Sequence, residues 1–156
     1  MKNNIYATPQ SEVSSKVDAA SLIRVYSPTQ VACGTLGGPV GLIYFLASNF
    51  ESLGQYELKR KTLVIGIVLL IALVAILPFL PESFPSTPFT VVYILVARQV
   101  AEKFQMKKSE IVASEFHDFH SNWRVLGFGL LCLVGSAIAV MVPLFLLSLA
   151  GIWNPA

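Results

Sequence analysis

Charge is what this chain has least of. Only 13% of its 156 residues are Asp, Glu, Lys or Arg, against roughly 25% in a soluble domain. So little polar surface cannot coat a globule in water, and 54% of the residues are hydrophobic. The solvent that suits such a chain is a lipid bilayer. The net charge of +2 is small, and the basic residues form short clusters rather than one stripe, which argues against a nucleic-acid partner. Cysteine is also scarce. Cys33 and Cys132 both sit in apolar segments, where the residue acts as a small hydrophobic filler, and no disulfide framework is implied. Residues 1–25 lack the apolar core of a secretory leader and read as a disordered polar tail with a short frayed helix around Val13 to Ile23. The remainder, 26–156, reads as one membrane domain.

Four apolar segments lie in that domain, at about 29–50, 62–80, 88–104 and 124–152. A helix needs roughly 20 apolar residues to cross a bilayer. The second segment is uncharged from Thr62 to Leu80, follows the basic triplet Lys59-Arg60-Lys61, and ends at Pro78 and Pro81. The fourth has no charge from Val125 onward, lies between Trp123 and Trp153, and carries Pro143 and a Gly135/Ala139 small-residue pair. Both read as full crossings. The third is short, because Arg98, Gln99 and Glu102 fall inside it. The proline-rich turn Pro81–Pro88 makes it the returning arm of a helical hairpin, with Arg98 reaching for the headgroups and Glu102 one turn on as its partner.

The first segment holds Cys33-Gly34-Thr35-Leu36-Gly37-Gly38-Pro39-Val40-Gly41. On a helix Gly34, Gly37, Gly38 and Gly41 share about 100° of arc, a smooth face against which a second helix packs closely. Pro39 opposes a regular helix, and the four glycines with it would cost a helix interior in water about 7 kcal/mol relative to alanine. The segment is therefore either a kinked crossing or a re-entrant pair of short arms. If all four segments cross with the triplet inside, Lys2, Lys16 and Arg24 are outside. If the first re-enters, all eleven Lys and Arg lie on one side. Three crossings with 81–124 inside would strand the triplet outside. The positive-inside rule favours re-entry, with residues 51–61 and 103–124 cytoplasmic and the C-terminus periplasmic.

Residues 109–122 project as an amphipathic interfacial helix, with Val112, Phe116, Phe119 and Trp123 on one face and Glu110, Ser114, His117 and Ser121 on the other. His117 and His120 are the only candidate metal ligands, and two histidines fall short of the three or four a site needs. No Walker, dinucleotide, nucleophile-elbow or HExxH motif occurs. No cofactor is expected, and the chain is read as no enzyme.

The pattern Tyr26-Ser27-Pro28-x-Gln30-Val31, Gly34, Gly37-Gly38-Pro39, Asn49-Phe50, Leu53-Gly54, Leu80-Pro81-Glu82, Ala97-Arg98-Gln99 and Ser121-Asn122-Trp123-Arg124 resembles a group of small uncharacterised bacterial membrane proteins. The resemblance covers roughly residues 26–130. It implies a bacterial inner-membrane location and supplies no activity.

The fold expected is thus an all-α integral membrane protein with four membrane-embedded segments. Two are full crossings, one is broken by glycine and proline, and one is a short hairpin helix. The function expected is binding through helix–helix contact, as an accessory subunit or an immunity-type protein. Its glycine face would meet another membrane protein or a second copy. The alternatives are a small channel or transporter subunit, motivated by the Gly37-Gly38-Pro39 break, and an interfacial metalloenzyme that would need His117.

Overall fold

The computed structural model describes residues 22–79, 85 and 87–151. The polar tail before Leu22, most of the proline-rich turn and Trp153 lie outside them. The chain is mostly helical. Three segments, 28–52, 56–79 and 122–149, are long and apolar enough to cross a membrane.

Strand β1 (Ile23–Val25) leads into α1 (Pro28–Gly34). Ser27 starts α1 by a reciprocal cap: its Oγ accepts the Gln30 N–H, and the Gln30 side chain accepts the Ser27 N–H. Pro28 follows at the first helical position, where its missing N–H costs nothing. A tight turn, Thr35–Gly37, ends α1. Helix α2 (Gly38–Ser52) then begins in a new direction. The break is at Gly38, whose φ of 79° and ψ of −162° suit glycine alone.

The two arms lie side by side. Tyr26 meets Asn49 at one end, and Gly34 meets Phe45 and Gly41 toward the other. The four glycines make this approach possible. A Cβ on Gly34 would land on the Phe45 ring, and one on Gly41 would come within 2.6 Å of the Gly34 carbonyl. Gly37 sits against Gly129, Cys132 and Leu133, and Gly38 against Ser136. The smooth face reserved for a partner helix in the sequence reading is filled by this chain's own Phe45 and by its last helix.

Helix α2 ends in a left-handed cap at Gly54 (φ 69°), with Gly54 N–H donating to Glu51 and Gln55 N–H to Phe50. Helix α3 (Tyr56–Ile76) runs back along α2, with Gly66 against Ile43. Helix α4 (Thr87–Phe104) packs on α1 and α2, burying Ala97 and Ala101. It carries too much charge and polarity to join the three membrane-length apolar segments.

Helix α5 (Lys108–Ala113) is one and a half turns long. Strand β2 (His117–Phe119) follows and pairs in parallel with β1, Ile23 opposite His117 and Val25 opposite Phe119. This corrects two expectations. The amphipathic helix over 109–122 is helical only to Ala113, and the polar tail is ordered as a strand by Ile23. The reason is non-local: Ile23 N–H donates to the Phe116 carbonyl and His120 N–H to the Val25 carbonyl, bonds that a helical 116–120 could not offer to another segment. Helix α6 (Asn122–Leu149) completes the fold and stays helical through Pro143.

Ser136, halfway along α6, grips the reversal. Its hydroxyl donates to the Gly37 carbonyl at 2.6 Å and accepts the Val40 N–H at 3.1 Å. Replacing Ser136 with Ala should therefore destabilise the protein by about 1–3 kcal/mol, the cost of stranding buried backbone groups. Gly38→Ala should be at least as harmful, through strain and a contact with Ser136. Gly135→Ala, whose Cβ would lie an ordinary 3.6 Å from Val40, should be tolerated. Thermal unfolding in mild detergent measures all three, and equal stability of the three would refute this arrangement.

Candidate functional site

The polar groups of this apolar chain gather at the open end of the α1/α2 hairpin. Asn49, only 2% exposed, is the centre. Its Oδ1 accepts the Tyr26 N–H at 2.7 Å, and its amide donates to the Tyr26 carbonyl at 2.7 Å and to Gln105 Oε1 at 2.8 Å. One side chain thus serves both backbone groups of Tyr26, as a neighbouring strand would. Gln105 completes the link by donating to the Leu46 carbonyl at 3.1 Å, so the end of α4 is tied to α2.

Gln30 reaches the other way. Its amide donates to the His120 carbonyl at 2.7 Å and to Asn122 Oδ1 at 2.9 Å. That connects α1 to the start of α6. The Tyr26 ring is buried between Phe45, edge-on at 5.0 Å, and His120 at 4.2 Å. The Arg124 Nε donates to the Tyr26 hydroxyl at 3.3 Å, while its guanidinium lies 5.2 Å from the centre of the Phe128 ring. Phe128 in turn stacks on Tyr44.

His120 is enclosed, and its Nδ1 has no hydrogen-bond partner among the described residues. Burial pushes its pKa below the ordinary histidine value. The positive charges of Arg124 and Arg24 push the same way, and Asp118 opposes them.

The residues singled out from the sequence are dispersed. Gly34, Gly37, Gly38, Pro39 and Gly41 form the far end of the hairpin. Arg98 and Glu102 pair at 2.8 Å on the exposed side of α4, beside exposed Gln99. His117 Nδ1 lies 2.8 Å from Ser114 Oγ, which also accepts the Phe116 N–H. His120 is turned into the hairpin instead, so the two histidines do not converge. Among the described residues no three His, Cys, Asp or Glu side chains group as metal ligands would. Ser114 and His117 touch as a nucleophile and base would, but Asp118 is turned to the Phe119 N–H and does not orient the imidazole as a third catalytic member would.

Sequence reasoning gave no role to Tyr26, Gln30, Asn49, Gln105, Asn122, Arg124 or Ser136. The Ser27-x-x-Gln30 spacing was a readable cap signal. Ser136, a polar residue inside a long apolar run, was a readable pointer to an interhelical bond. Asn49 and Gln105 gave no such sign, because their partners are distant in sequence.

No protein-family model, no curated protein and no solved structure matches the chain.

Two outcomes follow. Asn49→Ala leaves both backbone groups of Tyr26 and the Gln105 side-chain Oε1 short of a partner, at about 1–3 kcal/mol for each unsatisfied group. It should lower the unfolding temperature well below that of a Ser48→Ala control, and coincident melting would rule the clasp out. His120 favours its neutral form in the folded state, so the unfolded chain binds more protons as pH falls through the ordinary histidine range near 6.5. Stability should therefore drop between about pH 7 and pH 5, and His120→Phe should flatten that drop. An unchanged slope in the variant would show that other groups cause it.

Proposed function

We propose that this chain is a multi-pass bacterial inner-membrane protein whose first apolar segment enters and leaves the bilayer from one side, and that it works by binding a helix of another membrane protein. The placement rests on two levels within α6. Ser136 holds the reversal roughly 21 Å from the start of that helix, about half its length at 1.5 Å per residue. The hairpin's open end is held at the start of the same helix by Gln30 and Tyr26. If α6 crosses, the reversal lies near the bilayer midplane and both ends of the hairpin lie at one face. That face then carries all eleven Lys and Arg, as the positive-inside rule favours. The inner-membrane assignment rests on the sequence resemblance.

One observation carries the binding reading. Helices α3 and α4 both lean on α2 rather than on each other. Between them runs an open apolar slot, floored by Leu42, Ile43 and Leu46 and walled by Leu69 and Val96. Its two connected cavities measure about 270 and 300 Å³. They extend from Lys61 and Phe104 at one end to Ile76 and Val92 at the other, about 18–22 Å at 1.5 Å per residue, or roughly two thirds of a hydrocarbon core of about 30 Å. Apart from Lys61 at that end and Tyr93, the described residues of its walls offer no ionisable group. An uncharged transmembrane helix is the occupant that fits, seated by dispersion contacts rather than by charge.

The channel reading finds less support. Backbone freed by a break at membrane depth coordinates solutes in transporters, but here the Gly37 carbonyl and the Val40 N–H are both taken by Ser136.

Filling the slot with Leu69→Trp and Val96→Trp should dissolve the native-size complex extracted in mild detergent, while Leu131→Trp on the exposed side of α6 should leave it intact. A complex that survives the slot variants would refute the binding reading. A complex made of this chain alone would show that the occupant is a second copy and would overturn the choice of a different protein.

A further inference from the structure

The outer side of α1 carries a second surface, made of two cavities that meet at Thr29. Thr29, Cys33 and Leu36 recur at i, i+4 and i+7 and form the exposed face of that helix and its following turn. Against them, Val125, Leu126, Leu130 and Leu133 of α6 complete an apolar groove of about 590 Å³. It begins at Thr29, Gln30 and Asn122, near the hairpin's open end, and descends to Gly37 at the reversal. Thr29 also lines a separate polar cavity of about 340 Å³, together with Arg98, Glu102, Lys107 and Lys108.

The charges of that polar cavity do not cancel. Glu102 accepts from Arg98 Nε, which leaves the two terminal guanidinium nitrogens without a hydrogen-bond partner among the described residues. Lys107 and Lys108 form no ion pair among the described residues. Of the residues that line the cavity, three are cations and one is a carboxylate, with the Glu110 carboxylate next to it accepting the Lys107 backbone N–H. A guanidinium and two lysines lining one cavity are chemistry suited to a phosphate diester.

We propose that these two cavities together form a site for one anionic phospholipid. Its phosphate sits among Arg98, Lys107 and Lys108, and an acyl chain runs down the groove between α1 and α6. The phosphate end stands level with the open end of the hairpin, where membrane and cytoplasm meet. The chain end stands level with the midplane, so the site accepts a lipid from the cytoplasmic leaflet alone. A basic pocket between membrane helices on that side is a recurrent way to hold acidic headgroups. The inference rests on the membrane placement argued above but not on the partner helix, whose slot lies on the other side of α2.

The test compares phosphatidylglycerol with phosphatidylcholine of identical acyl chains, bound to the full chain and counted by native mass spectrometry. The wild type should retain phosphatidylglycerol at least tenfold better. The combined change R98Q, K107Q and K108Q should abolish that preference while the helical circular dichroism stays unchanged. Leu126→Trp with Leu130→Trp should block retention with the cations intact. Phosphatidylglycerol should also slow maleimide modification of exposed Cys33, a readout available on the wild type should any variant fail to fold. Equal retention of the two lipids, or a preference that survives loss of the three cations, would overturn the proposal. So would displacement by millimolar inorganic phosphate with Cys33 still freely modified, since the site would then hold free phosphate without a chain. The slot variant Leu69→Trp should leave lipid preference as it is, which separates failure of this proposal from failure of the partner reading.

Discussion

A chain that reverses direction inside an apolar fold must find partners for the backbone groups its helices no longer serve. One hydroxyl meets that constraint in this protein. Ser136 takes the Gly37 carbonyl and the Val40 N–H at the reversal, and the arrangement of the first segment follows from it. Gly38 supplies the backbone angles, and Pro39 starts the second arm at a position where no N–H is needed. Gly34 and Gly41 remove the side chains that would hold the arms apart. At the open end the same problem is met by Asn49, which serves both backbone groups of Tyr26. The hairpin is therefore held at both ends by side chains rather than by a longer helix ladder.

Much of this was legible from composition. The scarcity of charge pointed to a bilayer, and the uncharged runs gave α6 to within three residues at each end and the apolar part of α3, whose charged first six residues lie before Thr62. The glycine and proline cluster marked a break. What the cluster could not reveal was who would occupy its smooth face. A stripe of small residues looks the same whether it receives a partner's helix or the chain's own Phe45. The region after α5 misled for a related reason. Residues 109–122 project well on a helical wheel, yet β2 forms because β1, some ninety residues earlier, lies alongside it. Helical periodicity is a local signal, and a parallel strand pair is not. The polar network escaped notice likewise: Gln30 and Asn122, or Asn49 and Gln105, become meaningful only when folding brings them together.

The hairpin also divides the surface of the molecule. On one side of α2 lies an apolar slot with its ionisable groups at the margins, suited to a helix. On the far side of α1 lies an apolar groove that meets a cationic cavity at Thr29, the pair proposed to hold a charged lipid. Both readings draw on the same placement, because the slot and the groove acquire their depth in the membrane from the helices that border them. His120, buried beside Tyr26 and Arg124, stands where these parts join, so protonating it would weaken the contact that holds β1, α1 and α6 together.

That placement is best tested by asking on which side the two ends of the hairpin lie. Single cysteines at Leu22 and at Gln55, each in a background with Cys33 and Cys132 replaced, are exposed to a membrane-impermeant maleimide on intact cells and again after the membrane is opened. A hairpin that enters and returns predicts protection at both positions until the membrane is opened. Labelling of Leu22→Cys on intact cells, with Gln55→Cys still protected, would mean that the first segment crosses, and the account of its reversal within the bilayer would be wrong.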